Sequence, residues 1–117
     1  MFLNDKLMTN QQPANLVIVA YKPKPGKSQE LKTLVTNHVP NLDKLGLVTQ
    51  RQPIIVETAD GTIIEVFEWL SADAIQQAHS NPGVHEIWTA FAEVCDYVPL
   101  NTLAEAADVF ATFTPLN

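Results

Sequence analysis

The sequence predicts an α+β domain whose strands and helices follow the order β-α-β-β-α-β. Three observations support this prediction: β-branched apolar runs at residues 16–21 and 62–70, a helical apolar stripe over residues 28 to about 45, and Asp60-Gly61 between two strand-like runs. A chain of 117 residues with 46% hydrophobic and 17% charged residues is typical of one folded domain. We predict that this domain covers residues 15–117, and that residues 1–14, which show no periodicity, form a flexible arm.

The first strand is predicted over residues 16–21, because its continuous apolar, β-branched run is typical of a strand buried on both faces. A helix follows from Ser28, its expected N-cap, to about residue 45, and Gly46 follows its end. Its apolar residues share one stripe: Leu31, Leu34, Val35, Val39, Leu42 and Leu45. Pro40 is expected to kink this helix or to begin a new turn.

A hairpin is predicted next. Its first strand, about residues 47–58, contains Pro53, which indicates an edge position or a bulge. Asp60-Gly61 predicts a type I′ turn, which needs a positive φ at both central residues. The second strand of the hairpin is predicted over residues 62–70.

Ser71 is predicted to cap a second helix that breaks at Asn81-Pro82-Gly83 and restarts over residues 84 to about 96. Residues 103–107 have the pattern of one more helical turn. The last strand is predicted over residues 109–115, where apolar residues alternate.

This order of elements is the ferredoxin-like arrangement. Its two helices cover one face of a four-stranded sheet and leave the other face open. Because the first strand is apolar on both faces, the open face also needs to be buried. We therefore predict a homodimer, a dimeric α+β barrel, in which two copies pack sheet against sheet.

Composition excludes several classes of function. Seven Lys and Arg against thirteen Asp and Glu give a net charge of −6, which argues against nucleic acid and membrane partners. The longest apolar run, residues 16–20, is too short to cross a membrane, and the N-terminal residues do not resemble a signal peptide. The single cysteine, Cys95, fits a reducing, cytoplasmic location. The four glycines form no phosphate-binding loop and the three histidines match no zinc motif, so neither a cofactor nor a metal is expected.

Four short motifs carry a resemblance to a known family: Pro25-Gly26-Lys27, Gly46-Leu47-Val48-Thr49, Glu68-Trp69-Leu70-Ser71 and Ala78-His79-Ser80-Asn81-Pro82. On these motifs, residues 17–116 resemble the dimeric α+β barrel proteins of the antibiotic-biosynthesis-monooxygenase type. Gly83 stands where that family often has a second histidine. The haem-degrading members use a histidine of the second helix as the iron ligand, and Trp88 aligns there, so haem is not expected.

The resemblance implies a pocket between the sheet and the helices of each protomer. Some members of the family oxidise small phenolic or quinol-type molecules with O₂, without metal or flavin. The function expected here is of that kind, with a cofactor-independent monooxygenase as the possible enzyme. The alternative is a homodimer without catalysis, either a small-molecule binder or a purely structural protein.

Two histidines are candidate catalytic residues, because an imidazole exchanges protons near neutral pH. His38 lies on the apolar stripe of the first helix, and His79 lies on that of the second, four residues after Ile75. The family motif favours His79 as base or substrate-orienting residue, with His38 assisting. The alternative is that each is half-buried and bonded to a backbone carbonyl. His85 is expected at the surface.

A substrate-binding set is predicted from large aromatic residues and one acid: Trp69, Trp88, Phe67, Phe91 and Glu68. The alternative for the aromatic residues is ordinary core packing, since they follow helical and strand spacing. Glu65 and Glu68 both lie between apolar residues on the third strand, where a buried acid needs a partner. The alternative for these acids is an ion pair with Arg51.

Overall fold

The chain forms an α+β domain in a computed structural model that describes residues 12–117. Its elements are β1 (Asn15–Pro23), α1 (Ser28–Lys44), β2 (Ile54–Glu57), β3 (Ile63–Trp69), α2 (Ala72–His79), α3 (Pro82–Val94), β4 (Cys95–Val98) and β5 (Thr114–Pro115). Two 3₁₀ turns, Leu100–Thr102 and Ala104–Ala107, lie between β4 and β5. The predicted arm of residues 1–14 falls almost wholly outside the described residues.

The strands pair in the order β4-β1-β3-β2-β5, and every pairing is antiparallel. Alternate residues of the central strands face the three helices, and two apolar clusters fill the space between sheet and helices. The Phe67 cluster consists of Val39, Leu42, Leu47, Val48, Phe67, Trp69, Ala74, Ala78 and Val84. The Phe91 cluster consists of Tyr21, Leu31, Val35, Ile55, Ile63, Phe91, Val94 and Cys95.

The opposite face of the sheet, called here the outer face, is covered at one end only. There Ala20 and Ile64 pack with Leu103 of the C-terminal segment. At the other end Leu16 and Ile18 of β1 are 58% and 49% exposed, and Ile54 of β2, on the far side of β3, is 57% exposed. Residues 12–117 therefore leave an apolar surface open to solvent.

The fourth strand is not where the sequence predicts it. Residues 109–115 are expected to form a strand, but Val109 and Phe110 are 93% and 88% exposed, and only Thr114–Pro115 pairs, with β2. The strand beside β1 is instead Cys95–Val98, directly after α3. The helix ends before these residues because they pair with β1 and satisfy the backbone hydrogen-bonding groups along the second edge of β1. This pairing is between residues far apart in the chain, so the local sequence pattern does not show it.

The β2–β3 turn also differs from the prediction. Gly61 has a φ of 93°, but no other type of residue within 12–117 has a positive φ, so Asp60 does not, and the turn is not type I′. Gly61 N donates to Thr58 O at 3.1 Å, and Thr58 N donates to Thr62 O at 2.9 Å. The loop thus has three residues, and the glycine takes the left-handed conformation at its end.

Helix ends follow the sequence more closely. Ser71 caps α2 as predicted, since its Oγ accepts from Ala74 N at 3.1 Å. The predicted break at Pro82 is confirmed, and Asn81 caps the new helix. α1 begins at Ser28 without a side-chain cap, and it continues through Pro40 as one element, so no new helix begins there. Within residues 12–117 the helices are too short or too polar to cross a membrane.

Candidate functional site

A buried polar group lies between the sheet and the helices and consists of His38, Glu65 and Tyr21. His38 is on the inward stripe of α1, Glu65 faces the helices from β3, and Tyr21 faces them from β1. Their exposed fractions are 5%, 0% and 1%. Local periodicity brings all three inward, because each occupies a position that belongs to the apolar face of its element.

The three side chains meet at one carboxylate oxygen. His38 Nδ1 lies 2.8 Å from Glu65 Oε1, and the Tyr21 hydroxyl donates to the same oxygen at 2.7 Å. Burial, followed by the charge of Glu65 and the hydrogen bond to it, raises the pKa of Tyr21 far above its ordinary value. Tyr21 therefore remains a neutral hydrogen-bond donor.

Two buried atoms of this group have no hydrogen-bond partner among residues 12–117. They are His38 Nε2 and Glu65 Oε2. When Nδ1 carries the proton that it donates to Glu65, Nε2 holds a lone pair and acts as an acceptor. Buried polar atoms are normally paired, so an open acceptor on a histidine oriented by a carboxylate is a candidate site for proton transfer.

Aromatic rings surround His38. Its ring lies edge-on to Phe67, with centroids 5.3 Å apart, and edge-on to Phe91, with centroids 5.0 Å apart. Tyr21 stacks on Phe91 at 5.0 Å. Because Phe67 and Phe91 belong to different clusters, His38 stands where the two clusters meet. Two of the four aromatic residues predicted to bind substrate are thus next to a predicted catalytic histidine.

The two tryptophans lie farther from this group. The ring centroid of Trp69 is 5.3 Å from that of Phe67, so Trp69 is one ring removed from His38. Trp88 is half-buried and packs near His79 and His85, with ring centroids 5.5 Å and 6.1 Å away. Trp88 therefore accompanies the surface histidines.

His79 does not share the buried site with His38. It is exposed, and its Nδ1 lies 2.9 Å from the carbonyl oxygen of Ile75, while its own carbonyl oxygen is 2.6 Å from His85 Nε2. The inward residues of α2 are Ala74 and Ala78, and His79 is turned about 100° from Ala78. The family motif identified the residue but not the direction of its side chain.

Glu68 lies on the outer face of the sheet. Its Oε2 is 3.2 Å from Arg51 Nε, and its Oε1 accepts from the Thr49 hydroxyl at 2.9 Å. For this acid the observed contact is the ion pair with Arg51 that the sequence offered as an alternative. Glu65 instead pairs with His38.

A cavity of about 340 Å³ opens at the surface beside α1. Its walls are four residues of α1, the segment of residues 49–53, Ile55 of β2, and Leu116 with Asn117. A second, more open depression of about 320 Å³ lies between α1 and α3. Only the first is lined by a residue that pairs with Glu65 in the sheet, namely Ile55.

Cys95 is a buried free thiol. It is 2% exposed, and its Sγ donates to Phe91 O at 3.2 Å. Burial, and then the charge of Asp96, raises its pKa to about 11, so the reactive thiolate is scarce at neutral pH. Across residues 12–117 no three His, Cys, Asp or Glu side chains cluster in a way that could hold a metal ion.

Comparison of the chain with protein-family models, curated proteins and solved structures gave no match.

Sequence reasoning named His38 and Glu65 separately, but it did not join them. The signal was present, because helical spacing turns His38 inward and strand alternation turns Glu65 toward the same core. A histidine and an acid enclosed in one small core are expected to pair, since a buried carboxylate without a partner is costly. The contact of Tyr21 needed the pairing of β1 with β3, which sequence pattern does not show.

Proposed function

We propose that the protein is a cofactor-independent monooxygenase of small phenolic or quinol-type molecules, with His38 as its general base. The observation that carries the proposal is the buried His38–Glu65 pair. His38 Nδ1 lies 2.8 Å from Glu65 Oε1, and His38 Nε2 has no hydrogen-bond partner among residues 12–117. Resemblance to the antibiotic-biosynthesis-monooxygenase type supports the same class of substrate.

Each residue of the group has a part in this proposal. Glu65 accepts the Nδ1 proton, which fixes the tautomer with its lone pair on Nε2 and stabilises positive charge on the ring. Tyr21 donates to Glu65 Oε1 and holds that oxygen toward His38. Phe67 and Phe91 provide an apolar surface on which a flat ring can stack.

The chemistry balances without a cofactor. His38 Nε2 takes the proton of a phenolic hydroxyl, and the electron-rich phenolate reacts with O₂. One oxygen atom bonds to the ring carbon, which loses its hydrogen, and the other oxygen atom leaves as water. The phenol becomes a quinone and supplies all the electrons that O₂ takes up, so no further reductant is needed.

We also propose that the protomer is ferredoxin-like and pairs with a second copy through the outer face. The strand order β4-β1-β3-β2 supports the first part. Exposed Leu16, Ile18 and Ile54 support the second, because Ile18 and Ile54 both flank Val66 in the sheet and extend one apolar surface.

The test is oxygen uptake with a panel of reduced polycyclic phenols and quinols. We expect His38→Gln to lower the rate about 100-fold or more, and His85→Ala at the surface to leave it unchanged. His79→Ala is the discriminating variant. Loss of uptake in His79→Ala, with uptake kept in His38→Gln, would assign the base to His79 and overturn the role of His38. Absence of uptake with every compound would overturn the oxygenase.

The alternative is a homodimer without catalysis. The observation that favours it is the enclosure of His38, which is 5% exposed and packed between two phenylalanine rings. In that case the group serves only to join α1, β1 and β3. His38→Gln would then change the free energy of unfolding, and the folded wild-type protein would neither bind nor oxidise any compound of the panel.

A further inference from the structure

We propose that the cavity between α1 and residues 49–53 is the ligand-binding site. A small uncharged aromatic alcohol binds there and reaches His38 by passing between Val39 and Ile55. This inference rests on the proposed function, since it supplies the binding site for the substrate of His38. It adds the location of that site and the path from it to the base.

Two residues that line the cavity are neighbours of the buried group. They are Val39, the residue after His38, and Ile55, the register partner of Glu65 on the same face of the sheet. Val39 belongs to the Phe67 cluster and Ile55 to the Phe91 cluster. The cavity therefore opens over the boundary between the two clusters, and His38 occupies that boundary.

The open atoms of the buried group define the ligand's reacting end. His38 Nε2 and Glu65 Oε2 are both acceptors when the Nδ1 proton bonds Glu65, and both residues are more than nine-tenths buried. A hydroxyl group can donate to either atom. A carboxylate has no proton to donate, and it would be repelled by Glu65. The site thus selects a hydroxyl.

The walls define the rest of the ligand. The cation and the anion of the lining are already engaged, Arg51 with Glu68 at 3.2 Å and Asp43 with the amide of Gln50 at 3.1 Å. The amide side chain of Gln52, which also lines the cavity, suits an uncharged oxygen group. A volume of about 340 Å³ is near the lower end of ligand pockets, which run from about 300 to 1,000 Å³, and it fits one or two rings.

The C-terminal wall is built onto β2. Leu116 N donates to Ile55 O at 2.8 Å, and Asn117 Oδ1 accepts from Ile55 N at 3.0 Å. The amide of Asn117 also donates to Pro53 O at 2.8 Å. These bonds engage both the N–H and the C=O of Ile55, so in this proposal its side chain, not its backbone, moves to admit the ligand.

The experiment is an NMR titration with 2-naphthol, an uncharged bicyclic alcohol. We expect shifts of the backbone amides of residues 50–52, Ile55 and Asn117, together with a shift of the His38 Nε2 signal. The exposed His85 serves as the internal control and should not shift. 2-Naphthoate has the same rings with a carboxylate in place of the hydroxyl, and its affinity should be lower by a factor of about five or more.

A pair of variants on α1 tests the cavity itself. Thr36 lines the cavity and is exposed, so Thr36→Trp fills the site without altering the core, and we expect it to weaken 2-naphthol binding about tenfold. Asn41→Trp places the same side chain at another exposed position of α1, outside the cavity, and should leave binding within about twofold.

The outcomes separate this proposal from the proposed function. Equal affinity in Thr36→Trp and Asn41→Trp, or shifts confined to other residues, would overturn the cavity as the site, even if oxygen uptake depends on His38. Shifts at the cavity residues but not at His38 would overturn the path between Val39 and Ile55. Binding at both places without oxygen uptake would keep the site and reject the oxygenase.

Discussion

At the scale of single residues, the buried group shows what an acid in a small core requires. Glu65 is fully enclosed, and its carboxylate is held by two donors on one oxygen. Removing one partner leaves the other acceptor or donor unpaired, which costs more than the bond itself contributes. The individual residues of the group could be identified from periodicity, but their contact depends on which strands lie side by side.

Replacing Tyr21 by phenylalanine tests the second donor. Tyr21→Phe removes a buried bond to Glu65 and should lower the free energy of unfolding by about 1 kcal/mol. Tyr97→Phe is the matched control because Tyr97 is 52% exposed, and its effect should stay within about 0.5 kcal/mol. Urea unfolding measures both. Equal effects of the two variants would show that the Tyr21 hydroxyl contributes nothing specific.

The hydrogen bonds to Asp60 predict that the free energy of unfolding depends on pH. Hydrogen bonds from Thr58 and Thr62 lower its pKa below the ordinary 3.8. Because the folded value is the lower one, its contribution to stability is complete above the unfolded value and is lost as pH falls through the folded one. Asp60→Asn should therefore be less stable than wild type at neutral pH, and the difference should narrow below about pH 4.

Thr58→Val is the control for that measurement. Thr58 Oγ1 donates to Asp60 Oδ1 at 2.6 Å and is the largest cause of the lowered pKa. With this donor removed, the effect of Asp60→Asn should vary less with pH. A difference between wild type and Asp60→Asn that stays constant from pH 7 to acid would contradict the account.

At the scale of elements, the sequence was sufficient to locate the features that depend only on neighbouring residues. The cap at Ser71, the break at Pro82 and the hairpin around Gly61 all follow from side-chain chemistry within a few residues. The fourth strand does not. Cys95–Val98 continues the apolar pattern of α3, but these residues form a strand because they pair with the free edge of β1.

Two serines test how well caps can be identified from sequence. Both Ser71 and Ser28 are predicted caps, but only Ser71 accepts a bond from the helix it precedes. Ser71→Ala should lower the free energy of unfolding by about 1 kcal/mol, and Ser28→Ala by less than about 0.5 kcal/mol. Thermal and urea unfolding of the two variants measure these changes in stability. A larger loss at Ser28 would contradict the observed start of α1.

At the scale of the whole molecule, the outer face is an apolar surface that the described residues leave partly exposed. The sequence predicted that β1 is apolar on both faces, and the structure shows Leu16 and Ile18 exposed on the face that the helices do not cover. Partner identity is not encoded in a single strand's pattern, because any apolar surface could fill that place. The partner that we propose is a second copy, because most soluble oligomers are assembled from identical chains.

A charge on the outer face tests that assembly. If two copies pack sheet against sheet, sedimentation should give twice the chain mass of 12.9 kDa for wild type and the single mass for Ile18→Glu. Val109→Glu introduces the same charge at a residue that is 93% exposed and lies off the sheet, and it should leave the dimer intact. A monomeric wild type would overturn the dimer.

The enclosed Cys95 has a practical consequence for these experiments. Its thiol is 2% exposed and rarely ionised at neutral pH, so it reacts slowly with maleimides. A cysteine introduced at an exposed position such as Asn41 can then be labelled selectively in the otherwise native sequence. Spin labels or fluorophores placed this way would report the distance between copies and the arrival of ligand at α1.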